Sequence, residues 1–177
     1  MPRAPRHLPV ERDIEYQEGR RVGDPLERLR DEIKNRALIY REIYLQLSAE
    51  LGAESAMRLM GQAVYERGKD KGEQLRNKIG EPDLARLASA VMEGKNEMDA
   101  FGHQVVEVSD TRAVLRLTRC PLVEAWDEAG LSPDEKKTMC DIACQVDFGK
   151  FEGAGYRLKF RCRIGDGAQT CDMEVTK

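Results

Sequence analysis

The apolar spacing of this chain changes near residue 100, from a period close to 3.6 to a period of 2. That change predicts a helical half followed by a half that contains strands. On the helical side, Leu26, Leu29, Ile33, Ala37, Tyr40, Tyr44, Leu47 and Leu51 recur at spacings of three and four. Asp24-Pro25 supplies a capping acid and a first-turn proline, and Gly52 supplies a stop. Ile39, Ile43 and Leu45 widen the stripe, so this helix is expected to pack on more than one side. A second helix is predicted over 54–79, with Met57, Met60, Val64, Leu75 and Ile79 on its apolar side and Gly80 closing it. Gly61, Gly68 and Gly72 interrupt it, each costing about 1 kcal/mol relative to alanine. Close crossing with another element explains them; a break near Arg67-Gly68 is the alternative. A third, shorter helix starts at Pro82, carries Leu84, Leu87, Ala88 and Val91, and ends near Gly94.

Beyond it, His103–Val108 and Ala113–Arg119 read as strands joined by a turn at Ser109–Arg112. Pro121 opens a helix through Trp126 to Gly130. Ser132-Pro133-Asp134-Glu135 forms a capping box, and its helix is expected to reach about Phe148, with 149–155 as a glycine-rich loop. In the last hairpin, Tyr156, Leu158, Phe160, Cys162 and Ile164 alternate with Arg157, Lys159, Arg161 and Arg163. A two-residue Asp166-Gly167 turn would pair Cys162 with Cys171, Phe160 with Met173 and Leu158 with Val175. The opposite face then pairs Arg161 with Asp172 and Lys159 with Glu174; a longer loop over Gly165–Gln169 shifts this register. The expected fold class is α+β: long N-terminal helices on a small antiparallel sheet of two hairpins, with two intervening helices. The organisation read from the chain is an extended arm over 1–23 and one α+β unit over 24–177, helical over 24–96 and cysteine-bearing over 100–177.

Charged residues make up 34% and the formal net charge is -3. That balance gives no global attraction to nucleic acid or to an anionic membrane. No apolar run approaches the roughly 18 residues of a spanning helix. The first residues carry arginines and acids without an apolar core, unlike a secretory signal or a transit peptide, so the cytoplasm is the expected compartment. There the five cysteines are expected to be thiols. The partners expected are a small-molecule substrate and, from the long apolar stripes, a possible homodimer.

All five cysteines, at 120, 140, 144, 162 and 171, lie in the second half. Cys140 and Cys144 are one helical turn apart, and Asp147 follows on the same face. A thiolate nucleophile with a carboxylate to move protons is one reading; buried cysteines acting as small apolar side chains is the other. A zinc site is poorly supported, because no second close-spaced cysteine pair is present and only His7 and His103 offer imidazoles. Cys162 and Cys171 are expected to line the apolar face of the hairpin. His103 suits acid–base work or a plain strand start. The Arg157/Lys159/Arg161/Arg163 row suits an anionic ligand or a solvated face. Walker, dinucleotide, zincin and serine-hydrolase motifs are absent.

Three segments, "TRCPLVEAWDEAGL", "MCDIACQVDFG" and "LKFRCRIGDGAQTCDMEV", resemble the L-2-amino-thiazoline-4-carboxylic acid hydrolase-like family. The shared pattern is a cysteine ending a strand, a Cys/Asp helix, and a Gly-Asp turn before a Cys-Asp strand, over roughly 100–176. The resemblance implies hydrolytic opening of a cyclic amidine, 2-aminothiazoline-4-carboxylate, on a bacterial route to cysteine; from the residues themselves no metal or other cofactor is expected. The positions that match are Cys120, Cys140 or Cys144, Asp147, Gly165, Asp166 and Cys171. The resulting assignment places Cys140, Cys144 and Asp147 in catalysis, and Cys120, His103, Arg161, Asp166 and Cys171 around the substrate.

Overall fold

The computed structural model describes residues 24–93 and 95–177; the expected arm over 1–23 and the helix end at Gly94 lie outside them. Helix α1 (Pro25–Leu51) is capped by the Asp24 carboxylate, which accepts from Leu26 N at 3.0 Å. Helix α2 (Ala53–Ile79) runs unbroken through its three glycines. Helix α3 (Leu84–Met92) starts two residues later than the expected Pro82, because Asp83 caps it by accepting from Arg86 N. A short α4 (Lys95–Phe101) precedes β1 (His103–Val108) and β2 (Arg112–Leu117). Helices α5 (Pro121–Glu128), α6 (Pro133–Ala143) and α7 (Gln145–Gly153) follow, then β3 (Arg157–Cys162) and β4 (Cys171–Thr176). The architecture is α+β, with one antiparallel sheet in the order β1-β2-β4-β3. The two hairpins therefore join through β2 and β4.

Two apolar cores flank the sheet's helical side. One gathers Leu87 and Val91 of α3, Phe151 of α7, Leu115 of β2 and Met173 and Val175 of β4. The other gathers Ala37 of α1, Met60 and Val64 of α2, Trp126 of α5 and Met139 and Ile142 of α6. Trp126 is fully buried, and its indole N–H donates to Ala37 O at 3.1 Å, so no polar atom is stranded there.

The helix expected to run to Phe148 is two helices. Helix α6 keeps its Ser132–Glu135 capping box but stops at Ala143. Cys144 (φ -69, ψ -9) ends α6 and caps α7, and its carbonyl accepts from both Asp147 N and Phe148 N. The segment read as a glycine-rich loop over 149–155 is mostly α7. Its glycines meet those of α2: a Cβ on Gly72 would lie 2.9 Å from Gly153 Cα, and one on Gly149 would lie 3.1 Å from Gly68 Cα. Gly68 and Gly72 on one helix, and Gly149 and Gly153 on the other, let the two backbones touch. Close packing, not a break, accounts for the α2 glycines at 68 and 72.

The last hairpin departs from the simple register. Leu158↔Val175, Lys159↔Glu174 and Phe160↔Met173 pair as the alternation predicts, but a bulge between Phe160 and Cys162 then sets Cys162 opposite Asp172. The turn is longer than two residues: a 3-10 turn over Ile164–Asp166, followed by Gly167 in the left-handed region at φ 90. One extra residue reverses the faces beyond it. Arg161 therefore pairs with Glu174 (Nε–Oε2 2.9 Å), and Asp172 pairs with Arg116 of β2 through two bonds of 2.7 and 2.6 Å.

Candidate active site

The 3-10 turn and the residue before it link the α6–α7 junction to the start of β4. Cys144 lies at the junction and is buried. Its thiol sulfur receives a hydrogen bond from Arg163 Nη1 at 3.3 Å. The Arg163 guanidinium also donates to both Asp166 oxygens, at 2.8 and 2.9 Å, and pairs with Asp141 at 2.6 Å. Burial works against this cation, and the Asp166 and Asp141 carboxylates more than offset it, so Arg163 stays charged. Arg163 sits in the interior because the bulge turns it there.

Cys140, one turn before Cys144 on α6, is covered by the 3-10 turn. A Cβ on Gly165 would lie 2.5 Å from Cys140 Cβ and 2.6 Å from its sulfur, so only glycine fits over that thiol. Cys171, at the start of β4, accepts from Ile164 N at 3.2 Å. Cys120 caps α5 at the end of β2, half-buried against the second core. Burial pushes Cys120 and Cys144 up to about 11 and Cys171 up to about 12, and it raises Cys140 as well. The Arg163 cation opposes that rise at Cys140 and Cys144.

Asp147 lies in the first turn of α7. Desolvation pushes its carboxyl up to about 6, against the pull of Lys150 and Lys71. Its charge pushes the Cys120, Cys144 and Cys171 thiols further up. A carboxyl that titrates near neutrality and acts electrostatically on a guanidinium-contacted thiol has the chemistry that proton transfer needs.

The remaining sequence-predicted residues lie elsewhere. Asp166 reaches the site by fixing Arg163. Arg161 is on the opposite face with Glu174. Cys162 turns away from Cys171, with its sulfur 3.4 Å from Thr170 O. His103 stands on the edge strand, across Leu117 from Cys171, with Nδ1 3.3 Å from Met98 O and its ring against Phe101. Simple alternation groups Arg163 only with its strand neighbours. No group of three His, Cys, Asp or Glu side chains among the described residues is arranged to hold a metal ion. No helix among them is long and apolar enough to cross a membrane.

Among solved structures, the chain is similar to trafficking protein particle complex subunit 3 from Naegleria fowleri, determined covalently bound to palmitic acid. The TM-score is 0.54 at 16% identity, covering 82% of this chain and 95% of that one, which is a likeness of fold. No curated protein sequence matches the chain. The family model for L-2-amino-thiazoline-4-carboxylic acid hydrolase matches residues 30–175, a span that includes α2, the Cys144 junction, Asp147 and the bulged hairpin. By that match, the chain belongs to the L-2-amino-thiazoline-4-carboxylic acid hydrolase family.

Proposed function

We propose that this protein is a cytoplasmic hydrolase that opens a carbon–nitrogen bond in a small cyclic amidine such as 2-aminothiazoline-4-carboxylate. The observation that carries the reading is the 3.3 Å contact between Arg163 and the Cys144 sulfur, three residues before Asp147, whose carboxyl is pushed up to about 6. At neutral pH Asp147 is mostly ionised, yet basic enough to accept a proton. In the proposed cycle it takes the Cys144 proton, and the thiolate forms against Arg163 at the N-terminus of α7. The sulfur bonds to the amidine carbon, the ring carbon–nitrogen bond breaks, and the departing nitrogen takes the proton back from Asp147. Water then adds to the same carbon and Asp147 receives its proton; the carbon–sulfur bond to Cys144 breaks, and Asp147 passes that proton to the leaving thiolate, returning the thiol and the carboxylate. The net change is one water added and one ring bond opened. In this reading Arg163, rather than Arg161, takes the substrate carboxylate as well.

Turnover of 2-aminothiazoline-4-carboxylate tests the assignment. Cys144→Ala and Asp147→Asn are each expected to lower kcat/KM by about two to four orders of magnitude. Cys140→Ala is expected to act more weakly. Full activity in both of the first two variants removes the assignment.

A second reading, a non-catalytic small-molecule binding module, is favoured by the burial that keeps the four inner thiols protonated at neutral pH. It requires wild-type protein that binds the amidine, as read by calorimetry, without consuming it.

A further inference from the structure

The long helix α1 carries an apolar stripe that the fold leaves uncovered. Its inward face is occupied by Ile33 and Ala37, with Trp126 bonded to the Ala37 carbonyl. Ile39 and Ile43 point outward, 48% and 44% exposed. Arg36, Ile39, Ile43, Gln46 and Glu50 follow one another at spacings of three and four, so they form one stripe, and all five are exposed. Most of the exposed large apolar side chains among the described residues lie between Leu38 and Leu59, on α1 and the start of α2. Such a concentration marks an interaction surface.

We propose that this stripe receives the same stripe of a second copy of the chain, running antiparallel across a two-fold axis at Ile43. The charges at its ends select that occupant. Arg36 precedes Ile43 by seven residues and Glu50 follows it by seven. An antiparallel partner centred on Ile43 sets Arg36 of each copy against Glu50 of the other, about 10 Å to either side of the axis. Neither residue forms an ion pair with another described residue, so both charges are open to an external partner. A parallel partner would oppose like charges at both ends. The helix is 27 residues long, about 40 Å, which is enough to hold the whole contact on one element.

Sedimentation equilibrium of the full chain tests the proposal. The wild type is expected to be a dimer at micromolar concentration. Arg36→Glu and Glu50→Arg are each expected to raise the dissociation constant about tenfold or more, and Arg36→Glu/Glu50→Arg together to restore it. Ile43→Asp is expected to give a monomer. These side chains are exposed, so circular dichroism should not move in the monomeric variants, and the melting temperature should lose only its dependence on protein concentration. A wild type that stays monomeric at about 100 µM overturns the proposal, whether the stripe is covered by residues 1–23 or left for an unrelated protein. A dimer indifferent to Ile43→Asp, or single variants that the double does not rescue, overturns it equally.

Discussion

Alanine at Gly68 and alanine at Gly61 are the same substitution in the same helix, and the α2–α7 crossing predicts opposite signs for them. A Cβ on Gly61 would meet only Gln145 Cγ, at 3.5 Å, an ordinary contact with a flexible side chain. That position should show only the usual gain from replacing glycine in a helix, about 0.5–1 kcal/mol. At Gly68 the new methyl would overlap the Val146 carbonyl oxygen and lie 3.0 Å from Lys150 N. Both obstacles are backbone, so the helices must separate. Overpacking of that kind costs about 1–3 kcal/mol and at times more, which exceeds the gain in helix propensity. The propensity gain is common to both, so the two variants should differ by the overpacking cost, about 1–3 kcal/mol. Urea unfolding followed at 222 nm reads this as midpoints moving in opposite directions at unchanged slope. Since α7 carries Asp147, Gly68→Ala should also lower turnover, while Gly61→Ala should not. A Gly68→Ala protein as stable as wild type would refute the crossing as the reason for glycine there.

Asp147→Asn separates stability from catalysis by pH. The folded-state pKa, about 6, lies above the ordinary carboxylate value near 4, so ionisation of Asp147 opposes folding. The penalty is absent below about pH 4, grows between pH 4 and 6, and is complete above pH 6. The asparagine variant should thus gain about 1–3 kcal/mol over wild type across that window in chemical unfolding, while losing activity. Wild-type kcat/KM should itself fall below about pH 6 as Asp147 protonates; a flat profile there would exclude Asp147 as the base. Gly165→Ala is expected to destabilise by about 1–3 kcal/mol, because its methyl lands on Cys140. Cys140→Gly in the same chain should recover most of that loss, and no recovery would show that the turn is not seated on this thiol.

The α+β class, the long helices and the inner register of the last hairpin were legible because each rests on a repeated local signal. The hairpin's end was not. Arg161 and Arg163 occupy equivalent places in a simple alternation, and the bulge that separates them follows from the longer turn, which no single residue announces. The α6–α7 break is a similar case: Cys144 has nearly helical dihedrals, so its neighbours carry no cap or breaker. The glycines of 149–155 read as a loop in isolation. Their match to Gly68 and Gly72, each pair four residues apart, was the available signal, and it becomes visible only when the two segments are set side by side. Helix α4 is seven residues long and has too few turns for a period. Four cysteines and Asp147 could be selected from residue type and spacing, whereas their burial, which sets their proton affinities, is a property of the assembled cores.

The bulge at Arg161 makes the parity of β3 the quantity that assigns Arg163 to the sulfurs rather than to solvent. Parity is indifferent to which side chains occupy the strand, and it changes only when a residue is gained or lost. The arrangement should consequently survive most point replacements along β3 and be abolished by a single deletion near Arg161, which would turn the guanidinium outward and leave Asp141 with Lys137 alone. In this hairpin, chain length carries information that composition does not.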